Sequence, residues 1–294
     1  MQRFGHLAQR LFNVPLMIHP QKAEVIMAAL ADRIGIASIV NVHGDVIIPG
    51  KQAFFDDGDD EPRAQQLVDT GYDFQEGVAI IKVEGTLVQK LGTLRPYSGM
   101  MGYDGIRQVF LTAMADDQVR AIALLIDSPG GEVAGAFDLA DMIYECRGEK
   151  PIWAILEENA YSAAYALAST ADKIVVPRTG GTGSIGVIAL HVDWSTAIEK
   201  AGLKVTFITY GARKADGASE LPLSKEAAAS FQKDIDAVGD LFVETVARNR
   251  NISASNVRDT EAATFQGIEG VTLGLADAVM APDAAFRALL DELG

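Results

Sequence analysis

The sequence lacks several features that mark common classes of protein. Its 294 residues include one cysteine, Cys146, so no disulfide can form within the chain and a reducing compartment is indicated. No apolar run approaches the roughly 18 residues of a membrane-spanning helix, and the amino terminus has no signal-peptide pattern. We therefore expect a cytoplasmic protein with neither a membrane anchor nor a disulfide.

Positive charge is also scarce. Lysine and arginine number 25 against 40 aspartates and glutamates, which gives a formal net charge of −15. Binding to a nucleic-acid backbone requires clustered basic residues, so we expect no nucleic-acid partner. The histidines have no metal-ligand spacing, and the glycine-rich loop at 180–186 lacks the lysine that ends a phosphate-binding loop. The sequence therefore predicts no metal and no cofactor.

Strands and helices alternate from residue 77 to 210, which predicts an α/β core. An apolar strand at 121–126 runs into the turn Gly130-Gly131, and after a helix a second strand at 152–156 leads to Ser162, at the start of another helix. Because the carboxyl ends of parallel strands meet at one edge of a sheet, we expect the two glycines and this serine to lie together.

Shorter signals predict the remaining elements. Asp104 is expected to cap a helix, and Ser224 is expected to cap the longest helix, at 223–249. Further strands are predicted at 173–176 and 205–209.

The amino-terminal quarter has a different character. A helix is predicted at 20–33, and the acidic run at 55–63 is typical of a solvated linker. We place a boundary near residue 75, which divides the chain into an accessory region at 1–75 and a main domain at 76–294.

Ser162 and the glycine turn together fit the chemistry of acyl transfer, which needs a nucleophile, a base and donors for the developing oxyanion. Taken alone, Ser162 is more simply a helix cap, and the glycines are simply a turn. Two residues are candidates for the base. His191 follows an apolar run, and Lys214 follows the strand predicted at 205–209. A lysine acts as a base only when neutral, and a hydroxyl such as that of Ser184 would hold the neutral amine in line.

Five motifs in order resemble the signal peptide peptidase A family of serine peptidases. They are Asp127-Ser-Pro-Gly-Gly131, Tyr161-Ser-Ala-Ala-Tyr165, Thr182-Gly-Ser-Ile-Gly186, Lys214-Ala-Asp-Gly217 and Gly274-Leu-Ala-Asp277. The resemblance covers residues 77–282 and implies a core like that of Clp protease and the crotonases.

By that resemblance the main domain is a Ser–Lys peptidase domain. Ser162 is implied as nucleophile, Lys214 as general base and Ser184 as the hydroxyl partner of the lysine. The oxyanion hole is implied at Gly130, Gly131 and Ala163. The sequence departs from the family in having Ser-Ala-Ala where Ser-Gly-Gly is commoner, which narrows the site but leaves the amides in place.

Within the family, the segments at 13–20 and 96–103 are similar to the phage prohead proteases of the lambda protein C type. This likeness implies an endopeptidase that cleaves scaffold, portal or capsid proteins inside a procapsid in the host cytoplasm, and that forms a ring-like homo-oligomer. Three alternatives stay open. They are a cytoplasmic signal-peptide-peptidase-like protease of bacterial or prophage origin, a Clp-like or crotonase-like enzyme with His191 as base, and a catalytically silent capsid-assembly protein.

Overall fold

A computed structural model describes residues 10–34, 39–40, 46–47 and 70–294 of the chain. In chain order its helices and strands are β1 (Leu16–Ile18), α1 (Pro20–Ile34), β2 (Ile39–Val40), β3 (Val46–Ile47), β4 (Asp73–Gln75), β5 (Val78–Glu84), β6 (Thr86–Val88), β7 (Met100–Gly102), α2 (Tyr103–Ala115), β8 (Ala121–Ser128), β9 (Gly130–Glu132), α3 (Ala136–Glu145), β10 (Ile152–Tyr161), α4 (Ala163–Ala168), β11 (Lys173–Val176), β12 (Gly181–Gly183), α5 (Ser195–Lys200), α6 (Lys225–Arg250), α7 (Ala254–Arg258), β13 (Thr264–Gln266), α8 (Ile268–Thr272), β14 (Ala278–Val279) and α9 (Pro282–Leu293).

The largest sheet has the strand order β13-β12-β10-β8-β5-β4, and β11 and β14 extend it beside β10. The strands β5, β8, β10 and β12 run parallel, whereas β4 and β13 pair antiparallel at the two edges. The predicted α/β class is confirmed, and the strands expected at 121–126, 152–156 and 173–176 are β8, β10 and β11.

Helices cover both faces of this sheet, which explains why its central strands are continuous apolar runs. On one face α2, α3 and α4 form the main core with side chains such as Phe110, Leu124 and Ile143. On the other face α9 packs Ala285 and Leu289 against the strands. The sheet is thereby held rigid on both sides, so that the ends of its strands are fixed relative to one another.

A smaller sheet with the order β1-β9-β6-β7 stands at the carboxyl ends of two central strands. β6 follows β5 across Gly85, and β9 follows β8 across Pro129. β9 pairs in parallel with β6 on one edge and antiparallel with β1 on the other. The glycine turn predicted to form part of the site is therefore itself a strand, with both edges occupied.

Arg147 fixes the far end of the helix that begins after Ser162. Its guanidinium donates to the carbonyl oxygens of Thr170 at 2.7 Å and Asn249 at 3.2 Å, and also to those of Ser169 and Ala171. Those of Ser169, Thr170 and Ala171 lie just beyond the end of α4, where the helix has no amides left to satisfy them, and that of Asn249 lies in the last turn of α6.

Replacing Arg147 by methionine is expected to lower the free energy of unfolding by about 2–4 kcal/mol, because several partly buried carbonyls lose their donor. Urea unfolding measures the change. Arg107 lies exposed on α2, and Arg107→Met should change stability by less than about 0.5 kcal/mol. Equal effects of the two substitutions would show that the carbonyl contacts are not what stabilises this corner.

Two sequence predictions about local structure are wrong. No strand forms at 205–209, where the backbone pairs with no other described segment. Asp104 does not cap its helix, which begins at Tyr103 with Gly102 in the cap position. Its carboxylate instead accepts from the amides of Leu91 at 3.0 Å and Gly92 at 3.1 Å. At 205–209 the local strand pattern fails because the segment has no strand to pair with among the described residues. At Asp104 the capping preference fails because the carboxylate binds the amides of a neighbouring loop.

Other predictions in this part of the chain are confirmed or lie outside the described residues. Ser224 caps α6 through a 3.0 Å bond from the Ala227 amide. The helix predicted at 20–33 is α1. The acidic run at 55–63 lies outside the described residues, and the boundary near residue 75 stays a prediction.

Candidate active site

Ser162 lies between β10 and α4 in a backbone conformation that side chains rarely adopt. Its φ is 55° and its ψ is −120°, and the residue is 1% exposed. Such a conformation costs about 1–3 kcal/mol and is typical of functional positions. The backbone is held in place because its amide donates to the Gly183 carbonyl at 2.9 Å and its carbonyl accepts from the Ala166 amide at 3.0 Å.

The Ser162 side chain does not act as a helix cap. A cap would accept a bond from one of the first amides of α4, and none is formed. The Oγ atom lies 3.5 Å from the Gly186 carbonyl oxygen, which is a long and weak hydrogen bond. The simpler interpretation, in which Ser162 is only a helix cap, is therefore wrong.

Gly130 approaches Ser162 so closely that no other residue fits. Its φ is +95°, and a Cβ atom added there would lie 2.9 Å from the Ser162 Cβ and 2.2 Å from the Met17 carbonyl oxygen. At Gly131 an added Cβ would lie 1.8 Å from the Leu87 carbonyl oxygen. The predicted meeting of the glycine turn and the serine is present because both glycines lack a side chain.

The three backbone amides predicted as oxyanion donors differ in the hydrogen-bond acceptors near them. The Gly130 amide donates to the Ser128 Oγ at 3.2 Å, so it is engaged inside its own turn. The Ala163 amide is the first of α4 and has no acceptor within the helix. Gly131 lies in β9, opposite Met17 of β1. Gly131 and Ala163 therefore remain as candidate donors, and Gly130 provides the close approach.

Ser184 is a neighbour of Ser162 across the sheet. β12 pairs with β10 so that Gly183 lies opposite Tyr161, and each serine directly follows its paired residue. Ser184 is 6% exposed, has a φ of 54°, and donates its amide to the Ala263 carbonyl at 2.8 Å. Its position next to Ser162 is compatible with the predicted role of its hydroxyl as partner of the catalytic lysine.

Lys214 lies in the exposed loop that follows residues 203–210, with its amide bonded to the Gly211 carbonyl at 3.1 Å. Among the residues that the structure describes, none forms a hydrogen bond or an ion pair with its Nζ atom. The structure therefore brings Ser162, Gly130 and Ser184 together but does not join Lys214 to them by a hydrogen bond.

His191, the other candidate base, is turned toward the amino-terminal segment. Its Nδ1 lies 2.9 Å from the Asn13 Oδ1, and its Nε2 is buried with no hydrogen-bond partner in the described part of the chain. No hydrogen bond connects it to Ser162. This placement disfavours the alternative in which His191 is the base.

The central strands carry a cluster of acidic residues that was not predicted from the sequence. Glu84, Asp127 and Glu157 all lie at or near the carboxyl ends of central strands. Burial raises the pKa of the Glu157 carboxyl, and the charges of Glu84 and Asp127 raise it further. Burial likewise raises the pKa of Tyr161, reinforced by Glu158 and Asp127. The available signal was that each apolar run ends in an acidic residue.

Metal ligation and membrane insertion find no support in the described residues. No group of three or more histidine, cysteine or acidic side chains among them could hold a metal ion. Within the same ranges no helix combines the length and the apolarity required to cross a membrane.

Comparison with known proteins places the chain in a family. The model of peptidase family S49 matches residues 145–294. The chain belongs to peptidase family S49. This confirms the family predicted from the five motifs, and with it the predicted class of enzyme, a serine-type peptidase.

Curated relatives confirm the predicted likeness to phage proteins. The chain is 41% identical to "Head-tail preconnector protein GP5" of Enterobacteria phage P21, over 99% of this chain and 58% of that protein. It is 37% identical to "Capsid assembly protease C" of Escherichia phage lambda, over 100% of this chain and 67% of that protein. "Putative signal peptide peptidase SppA" of Enterococcus faecium is 30% identical over 63% of this chain and 56% of its own length.

A solved structure is also similar. An enoyl-CoA hydratase from Shewanella pealeana matches 76% of this chain and 72% of its own, with a TM-score of 0.48 and 14% identity. The parallel sheet and the family membership support the predicted Clp- and crotonase-like core.

Proposed function

We propose that the chain is a serine endopeptidase in which Ser162 forms an acyl-enzyme and Lys214 is the general base. The observation that carries the proposal is the state of Ser162. Its backbone is held in a strained conformation, its hydroxyl caps nothing, and it lies between a glycine and the free amide of a helix. A structural serine requires none of these features, whereas backbone strain is typical of active sites, and a nucleophile needs a hydroxyl that is not engaged elsewhere and that lies beside oxyanion donors.

The chemistry follows from these positions. Ser162 Oγ attacks the peptide carbonyl carbon while its proton passes to the neutral Lys214 amine, and the amides of Gly131 and Ala163 stabilise the oxyanion. The lysine then gives its proton to the leaving amine as the peptide bond breaks. A water molecule attacks the resulting ester, again losing its proton to Lys214, and Ser162 regains its hydroxyl when the acid product leaves.

This mechanism requires Lys214 to reach Ser162. The surface near Lys214 indicates that this contact forms when copies of the chain associate. The preceding segment exposes large apolar side chains, with Ile208 97% and Leu203 65% exposed. Apolar residues exposed in a row are typical of an interaction surface. We propose that copies of the chain bury this segment against each other in a homo-oligomer and thereby bring Lys214 to a serine.

Mixing two inactive variants tests this step. Ser162→Ala and Lys214→Ala should each lose peptide cleavage, and a mixture of the two should regain a measurable part of it if the lysine acts on the serine of another copy. Lys225→Ala, at the start of α6, is the matched control and should keep full activity. If Lys214→Ala cleaves as well as the unaltered chain, Lys214 is not the base and the mechanism is wrong.

The substrates we propose are proteins of a phage procapsid, including scaffold, portal or capsid proteins. The support is the names of the two phage relatives, one a capsid assembly protease and the other a head-tail preconnector protein. Incubating the oligomer with procapsid proteins tests this, with cleaved products identified by mass. Cleavage of unrelated unfolded proteins at equal rates would contradict a dedicated role.

A further inference from the structure

We propose that residues 12–19 form an internal covering segment that occupies the peptide-binding position of the active site and must leave before a substrate binds. The inference rests on the proposed function and adds to it a form of regulation and a preference for apolar substrate side chains. The first observation that supports it is that Ser162 is buried, although a nucleophile must contact its substrate. The second is that β1, which belongs to this segment, pairs with β9, the strand that contains Gly130 and Gly131.

The register of β1 places it along β9, the strand that contains the candidate oxyanion donor Gly131. β1 pairs antiparallel with β9, with Leu16 opposite Glu132, Met17 opposite Gly131 and Ile18 opposite Gly130. The next amide, that of His19, donates to the Pro129 carbonyl at 2.8 Å. The other edge of β9 is taken by β6. An extended peptide can therefore pair with β9 only by taking the place of β1.

The opposite edge of β1 is paired as well. The Leu16 amide donates to the Ile188 carbonyl at 2.8 Å, and its carbonyl accepts from the Ile188 amide at 2.9 Å. The segment thus fills a slot between β9 and the chain that follows Gly186. A slot that pairs with both edges of an extended chain suits a peptide substrate, because main-chain bonds bind it whatever its sequence.

The direction of the peptide groups places a carbonyl against the candidate oxyanion donor. Successive residues of a strand point their peptide groups to opposite edges, and those of Leu16 face Ile188. Those of Met17 therefore face β9, opposite Gly131. The contact of the Met17 carbonyl oxygen with the Cβ position of Gly130 agrees with this. The covering segment presents a carbonyl where the mechanism needs a substrate carbonyl.

The side chains of β1 indicate what kind of peptide the slot accepts. Met17 is fully buried and belongs to the main core, whereas Leu16 and Ile18 pack in a small cluster with Leu11 and Ala23, from the same part of the chain. Ile188 and Leu190 of the main domain also pack against this small cluster, but only Met17 reaches the main core, and its pocket remains in the domain when the segment leaves. A displacing peptide should therefore place a long apolar side chain in that pocket.

A side-chain latch holds the segment and also holds the loop of Lys214. The Oδ1 of Asn13 accepts a hydrogen bond from His191 Nδ1, 2.9 Å away, and its Nδ2 donates to the Gly217 carbonyl at 2.9 Å. Gly217 ends the motif that begins at Lys214. Asn13 has a φ of 57°, which asparagine tolerates well. Closing the slot and restraining the lysine loop thus depend on the same residue.

A reversible disulfide tests the proposal in the full chain. Leu16 and Glu132 lie opposite each other in a pair whose peptide groups do not face one another, a geometry short enough for a disulfide. We would make Leu16→Cys with Glu132→Cys in a Cys146→Ser background. The probe is a fluorescent peptide of residues 12–19, and binding is read by anisotropy. The two single-cysteine variants, treated with the same oxidant, are the matched controls.

The reduced protein should bind the peptide at least about tenfold more tightly than the oxidised protein, because only the unlocked segment can leave. Adding Asn13→Gly, which removes the latch without straining the backbone, should tighten binding by about fivefold. Asn256→Ala, at an exposed position of α7, should not change it. The same peptide carrying Met17→Asp should fail to bind.

Equal binding to the oxidised and reduced forms would overturn the proposal, and so would no binding to the reduced form that carries Asn13→Gly. Cleavage is measured separately on the same samples. If the reduced protein binds the peptide but no form of the chain cleaves any peptide, the peptidase activity fails while the covering segment stands.

Discussion

Replacing Ser162 by alanine is expected to lower kcat/KM for a peptide substrate by about 10⁴-fold or more, because no other group at the site can form the acyl-enzyme. The hydroxyl makes only one long hydrogen bond, to the Gly186 carbonyl at 3.5 Å. Its removal should therefore change the free energy of unfolding by less than about 1 kcal/mol. Peptide cleavage and urea unfolding of the same preparation measure the two quantities.

The control for this substitution is Ser255→Ala, at an exposed serine of α7. It should change neither quantity. If Ser162→Ala retains activity within about tenfold of the unaltered chain, the nucleophile lies elsewhere and the strained backbone has another cause. If activity and stability fall together, Ser162 contributes to folding. We do not expect this, because its hydroxyl does not cap the helix.

Replacing Gly131 by alanine is expected to have the second largest effect, on stability and activity together. The added Cβ would lie 1.8 Å from the Leu87 carbonyl oxygen and 2.7 Å from the Leu87 amide nitrogen, both backbone atoms of β6. Backbone cannot move aside as a side chain can, so we expect a loss of about 3 kcal/mol in the free energy of unfolding. The displaced strand should also lower kcat by about 10²-fold, because oxyanion stabilisation depends on placement.

Gly239 gives a matched control inside α6. A Cβ atom added there meets nothing within 4 Å, so Gly239→Ala should raise stability by about 0.5–1 kcal/mol through its helix propensity. Thermal or urea unfolding compares the two. A Gly131→Ala protein as stable as Gly239→Ala would contradict the close packing of β9 on β6.

The parts of the fold that the sequence predicts well are those with a local cause. A continuous apolar run makes a strand buried on both faces, as in β8 and β10. A serine three residues before a free amide caps a helix, as Ser224 does for α6. The glycine turn and Ser162 could be placed together because the ends of parallel strands meet at one edge of a sheet.

The parts that it does not predict depend on distant partners. β1 pairs with β9, more than a hundred residues away, and no local pattern states which edge a short strand joins. The prolines at 15 and 20 that bound this strand were a usable signal, since proline favours strand ends and edges. The strand predicted at 205–209 has no sheet edge to join within the described chain, so its apolar residues stay exposed.

The most direct test of the Ser–Lys dyad is covalent labelling with a fluorophosphonate, read by intact mass at pH 6 to 10 on the assembled protein. We predict one adduct per chain at Ser162, absent from Ser162→Ala and Lys214→Ala. A folded, assembled chain that never labels, or an adduct that persists in the Ser162→Ala protein, would contradict it.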